Sequence, residues 1–215
     1  MPPTFLFRFA VSCPYKKSLW DNEKGADLPV GSRLPNFGVL EDRPNFAEVR
    51  AGWNEDGLAF SVTVKGKKQS PWCRKSKPDE SDGLHLWIDT RATHDIHRAS
   101  RFCHYFTMLP AGGGGDQRQP IADLLSINRA KESPRPIIGG MLQVMATLQE
   151  DGYSLSAYVP AVAMTGYDPA DYPQLGFYYA VIDRELGWQT LSLGPEFPVT
   201  ESPSLWGTLD LTRPK

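Results

Sequence analysis

Nineteen prolines and nineteen glycines are spread through the 215 residues, and between them the chain rarely runs far enough to build a helix. Proline inside a helix removes a backbone hydrogen bond and clashes with the preceding turn, while glycine weakens helices through its conformational freedom. What lies between these breaks is a series of short apolar–polar alternations, the period of two that suits a strand with one face on a core. The sequence therefore predicts an all-β chain, an antiparallel sandwich with long loops and very little helix. Residues 5–11 read as a first strand. Residues 47–52, the turn Asn54-Glu55-Asp56-Gly57 and residues 58–64 read as a hairpin. Residues 142–148 with 153–159, and 176–183 with 188–193, make two more, and 206–211 a final strand. Only 121–130 and 160–164 have a helical pattern.

A chain of this length fits one domain with a substantial core, taken here as 1–215. With 23 basic and 25 acidic residues the net charge is -2, which offers no overall attraction to nucleic acid or to an anionic membrane. No apolar run approaches the roughly 20 residues of a membrane span, and residues 1–12 lack the pattern of a signal peptide, so a cytoplasmic location is the expectation. Cys13, Cys73 and Cys103 are odd in number and widely separated, as reduced thiols would be, and form no C-x-x-C metal motif. Gly112 to Gly115 is not followed by Gly-Lys-Ser/Thr and is no P-loop.

All four histidines, His85, His94, His97 and His104, lie between Ser81 and Met108. Around them are Asp82, Trp87, Asp89, Asp95, Arg98 and Arg101. Leu84, Leu86 and Ile88 alternate with His85, Trp87 and Asp89, placing three polar or aromatic side chains on one strand face. A second alternation over 101–108 suggests antiparallel pairing with the first, joined by a polar loop at 90–100 that carries His94 and His97. The register, and with it whether His85 and His104 share a side, stays open. A polar ligand pocket using His85, Arg98 and His104 is one reading of the group. A zinc or iron centre on His94, His97 and His104 is another, since imidazole suits such ions. The bland alternative is that these imidazoles bond loop carbonyls and that the arginines pair with Asp82, Asp89 or Asp95.

Trp53, Trp188 and Trp206 sit in or beside strands and are expected in the core. Asp183-Arg184-Glu185 ends a strand and is expected to support the same end of the sandwich. A Glu and Asp pair also raises glycoside hydrolysis, which requires two carboxyls at a defined separation. No G-x-S-x-G elbow supports a serine nucleophile.

The order of "VRAGWNEDGLAFSVTVKGK", "SPWCRKSKPDESDGLHLWIDTR", "DGYSLSAYVPAVAM", "LGFYYAVIDRE" and "PSLWGTLDL" resembles the family 9 carbohydrate-binding modules and related DOMON-like sandwiches over about residues 35–211. The resemblance implies a jelly-roll sandwich, usually with structural calcium, that holds the end of a sugar chain between two aromatic rings. It makes Trp72 a clamping ring. Thr200 stands where the second tryptophan would be, which leaves Phe197 as the nearest aromatic substitute, and His85 replaces a commonly acidic position. Asp82, Asp89 and Asp95 are the calcium candidates.

These readings converge on non-catalytic carbohydrate binding, with Trp72, His85, Trp87, Arg98, His104 and Phe197 as contacts and carbohydrate as the partner. Two alternatives stand beside it: a metal-dependent enzyme centred on His94, His97 and His104, and a protein interaction module.

Overall fold

The computed structural model describes residues 7–213. Eleven strands run in chain order: β1 (Ala10–Pro14), β2 (Ala47–Asn54), β3 (Gly57–Lys65), β4 (Gly83–Asp89), β5 (Cys103–Gly113), β6 (Gln119–Leu125), β7 (Gln143–Gln149), β8 (Gly152–Pro160), β9 (Gln174–Asp183), β10 (Gly187–Thr190) and β11 (Gly207–Thr212). They form a seven-stranded sheet ordered β1-β11-β9-β4-β5-β6 and a four-stranded sheet ordered β2-β3-β8-β7. β10 lies beside β9 on the edge it shares with β11: β11 takes Gln174 to Phe177, and β10 takes Ala180 to Asp183. All pairings are antiparallel except that of β1 with β11. Helix is confined among the described residues to short 3₁₀ turns, the longest being Phe37–Glu41.

The predicted hairpins form as read. β2 and β3 pair from Ala47↔Val64 to Asn54↔Gly57, β7 and β8 from Gln143↔Tyr158 to Gln149↔Gly152, and β9 pairs with β10. The expected first strand begins later, at Ala10; residues 5 and 6 of that expectation lie outside the described residues. The helix expected at 121–130 is a correction: Gln119–Leu125 is strand β6, laid along β5 with Ala122 opposite Met108 and Leu124 opposite Phe106. Its apolar residues match both periods over so short a run, and the open edge of β5 decides the outcome.

The two sheets meet face to face. Phe60 of β3 and Phe177 of β9 stack across the interface, ring centroids 6.1 Å apart and planes within 5°. Ile88 pairs with Phe177 on this inner face, so Leu84, Leu86 and Ile88 point into the sandwich. The other face of the large sheet is covered too. Tyr178, on the opposite side from Phe177, donates its hydroxyl to the Leu193 carbonyl at 2.5 Å, and Trp206 donates to Val199 at 2.7 Å. Every residue of β4 is consequently buried. Trp53 and Trp206 are core residues, and Trp188 packs half-buried against the main core.

Candidate functional site

A cleft beside a partly accessible aromatic ring lies where the chain passes from β3 to β4. Between Lys65 and Gly83 the loop carries Trp72, half-buried, above a buried charge cluster. Lys67 Nζ lies 2.5 Å from Asp183 Oδ2, 3.2 Å from Asp82 Oδ2 and 3.9 Å from Glu185 Oε2. The side chains of Lys67 and Asp82 are 2% and 1% exposed. Burial opposes the lysine's charge, but Asp183 and Asp82 outweigh it and hold the ammonium above its ordinary value. Burial also pushes the Asp82 carboxyl up, against the pull of the backbone donors of Trp72 and Arg184.

Backbone amides satisfy what Lys67 leaves over. Asp82 Oδ2 accepts from Trp72 N at 3.0 Å and its Oδ1 from Arg184 N at 2.8 Å. Asp183 Oδ1 accepts from Glu185 N and Leu186 N, both at 2.9 Å. The Glu185 carboxylate accepts from Lys68 N at 3.0 Å and Gln69 N at 3.1 Å. Three carboxylates from two strand ends thus fix the path of the Trp72 loop. Over them opens a cleft of about 500 Å³ walled by Gln69, Ser70, Pro71, Trp72, Arg184 and Glu185. The Arg184 guanidinium carbon sits 4.8 Å from the Trp72 ring centroid, and that of Arg74 5.9 Å. Phe197 is not among the residues lining this cleft; it packs half-buried against the main core.

The histidine segment is organised differently from the expectation. β4 and β5 do pair antiparallel, with His85 opposite Thr107 and Ile88 opposite His104. That register sends His85 and His104 to opposite faces, and both are wholly buried. His85 must donate from Nε2 to the Ser81 carbonyl at 3.0 Å, so its Nδ1 accepts from the Tyr105 hydroxyl at 2.9 Å. His104 is the reverse tautomer: Nε2 accepts from Thr165 N at 2.8 Å and Nδ1 faces the Ile88 carbonyl at 3.4 Å. Burial lowers both to a pKa of about 4, so they are neutral structural groups. Trp87 is buried beneath the covering loops, stacked on Tyr105 at 4.5 Å, and its Nε1 has no partner.

The remaining candidates do not converge either. Arg98 is exposed and donates to the Arg129 carbonyl at 2.8 Å. His94 meets Thr208 Oγ1 at 3.1 Å and His97 meets Ser204 Oγ at 3.0 Å. The polar pocket of His85, Arg98 and His104, with Trp87, is therefore corrected: three of the four are sealed from solvent, and the fourth is spent on a loop carbonyl. Among the described residues no three His, Cys, Asp or Glu side chains are grouped to hold a metal. Calcium does not fit the aspartates proposed for it. Asp82 is filled by Lys67 and two amides, Asp89 accepts from Arg91 N at 3.0 Å and Thr93 N at 2.7 Å, and Asp95 is an exposed loop residue. Calcium needs several oxygens converging on one point, and these three carboxylates are not grouped.

No family model matches the sequence, and no curated protein matches it. Solved structures do. A family 9 carbohydrate-binding module from Caldicellulosiruptor kristjanssonii, in complex with cellotriose, superposes with a TM-score of 0.62 at 12% identity, covering 96% of this chain and 95% of that one. The fold is that of the family 9 carbohydrate-binding modules. The glucose complex of such a module from the same organism gives a TM-score of 0.61 at 13% identity over 96% and 97% of the two chains. A Bacteroides uniformis protein described as carbohydrate-binding gives 0.57 at 11% identity over 96% and 100%. The family 9 sandwich is thus shared at 12–13% sequence identity. No helix among the described residues is long and apolar enough to cross a membrane.

Proposed function

We propose that this chain is a non-catalytic carbohydrate-binding domain with Trp72 as its sugar platform. The observation that carries the reading is a half-exposed indole walling a cleft of about 500 Å³, its loop pinned by buried carboxylates. The axial C–H groups of a pyranose form an apolar, weakly positive face that packs on such a ring, and the cleft walls carry hydrogen-bonding groups on Gln69, Ser70, Arg184 and Glu185 for the hydroxyls. Solved neighbours of the same fold include complexes with cellotriose and glucose, which supports the class of ligand.

The test is a saccharide binding screen on the whole chain, with calcium and again with chelator, comparing wild type with Trp72→Ala. Binding that weakens at least about ten-fold in the variant while its unfolding transition is unchanged is the expected result. Saccharide binding indifferent to Trp72, or none in any condition, overturns the reading.

A further inference from the structure

Residues 65–77 contain six cations, Lys65, Lys67, Lys68, Arg74, Lys75 and Lys77, and not one carboxylate, in a protein whose net charge is -2. The run borders the Trp72 cleft. Lys67 is neutralised from below by Asp82 and Asp183, and Lys77 pairs with Glu80. Among the described residues, Arg74, Arg184, Lys68 and Lys75 make no ion pair within 4 Å. The carboxylates of the cleft are hydrogen-bonded, Asp82 to Lys67 and two amides, Glu185 to the Lys68 and Gln69 amides. Of the charged side chains that line the cleft, Lys67 and Asp82 are buried against each other, and Arg184, with Glu185 beside it, is the cation that meets the Trp72 face.

That charge is aimed at the platform. Two guanidinium carbons lie within 6 Å of one indole centroid, Arg184 at 4.8 Å and Arg74 at 5.9 Å. A neutral sugar settling on Trp72 competes with these cation–π contacts. A carboxylate on the sugar reverses the balance, because the planar guanidinium fork matches it with two parallel N–H···O bonds. We propose that the Trp72 cleft takes an acidic saccharide, a sugar unit bearing a carboxylate that Arg184, with Arg74, receives while the pyranose rests on the indole. The proposal rests on the reading of this cleft as a sugar site and specifies its ligand class.

Calorimetric titration of the whole chain with trigalacturonate, its methyl ester, a sulfated trisaccharide and cellotriose tests it. Trigalacturonate is expected to bind about ten-fold tighter than its methyl ester, the advantage shrinking as salt rises and largely lost in Arg184→Gln. The Arg184 side chain is exposed and only its backbone amide is held by Asp82, so this variant keeps the fold; the salt series on wild type needs no variant at all. Methyl ester or cellotriose binding as tightly as the acid overturns the acidic-ligand proposal and leaves the sugar site standing. A tighter sulfated sugar overturns the assignment to a carboxylate. Binding of none of the four overturns the sugar site itself, and the proposal with it.

Discussion

Trp72 and Asp82 hold each other twice: the Asp82 amide donates to the Trp72 carbonyl at 2.9 Å, and the Trp72 amide donates to Asp82 Oδ2 at 3.0 Å. The ring that faces the cleft is thereby fixed to the residue preceding β4, and through it to Lys67 and Asp183. Removing Asp82 strips the Trp72 and Arg184 amides of their acceptor and Lys67 of one of its two close carboxylates, a loss of about 3–5 kcal/mol. Asp82→Ala is expected to lose stability on that scale in urea unfolding, and to loosen the Trp72 loop. A loss under about 1 kcal/mol would show that the cluster is solvated and holds nothing. Lys67→Met leaves Asp82 and Asp183 facing one another, so its deficit should shrink as pH falls and the carboxyls take up protons.

The buried histidines set a second expectation. His85 and His104 have folded pKa values of about 4 against an ordinary 6.5. A depressed imidazole is neutral in the fold and charged in the unfolded chain below 6.5, so its contribution is complete above 6.5 and is lost as pH falls toward 4. Each contributes a slope of up to about 1.4 kcal/mol per pH unit. Urea midpoints between pH 7 and 5 should fall accordingly, and His104→Gln should flatten the slope. An unchanged slope in the variant counts against the buried neutral tautomer.

Thr107→Val is expected to stabilise the protein. Thr107 is wholly buried on β5, and its hydroxyl has no hydrogen-bond partner. Valine keeps the shape, suits a strand and removes the desolvated hydroxyl, a gain of about 1 kcal/mol. A destabilised variant would indicate an internal water bonded to that oxygen, which a high-resolution crystal structure would reveal.

Gly83 starts β4 at φ +155°, and a Cβ there would lie 2.4 Å from the Met108 carbonyl oxygen. Gly83→Ala must push β4 from β5 or shift Asp82 next door. A loss of at least about 2 kcal/mol in thermal unfolding is expected, together with weaker saccharide binding. A variant as stable as wild type, binding as tightly, contradicts this close approach.

Much of the architecture was legible because alternation survives wherever a strand has one covered face, as along β3 and β8. The pairing of β4 with β5 could also be read, but the use of its side chains could not. A period of two separates two faces without saying whether loops cover the second, and here Leu193 and Val199 lie over Tyr178 and Trp206. His85 and Trp87 therefore pack where solvent exposure was expected. Trp72, singled out by resemblance from its Pro-Trp context, walls a cleft, whereas Lys67 and Arg184 beside it were not singled out. Lys67 sits in a run that resembles any solvated loop, and only the fold brings Asp82 and Asp183, 101 residues apart in sequence, to either side of it. The absence of carboxylates from residues 65–77 was the available signal.

The parallel ladder of β1 and β11 has a mechanical consequence. Ala10 lies opposite Thr208 and Pro14 opposite Thr212, so the chain enters this pair at one end and leaves it at the other. Tension on the segments before Ala10 and after Thr212 would slide the two strands along each other and load their hydrogen bonds together, whereas an antiparallel end pair pulled at its open end would give way bond by bond. In a sandwich closed in this way a ligand held at Trp72 would be carried by strands β4 and β9, interior to the pair that bears the strain.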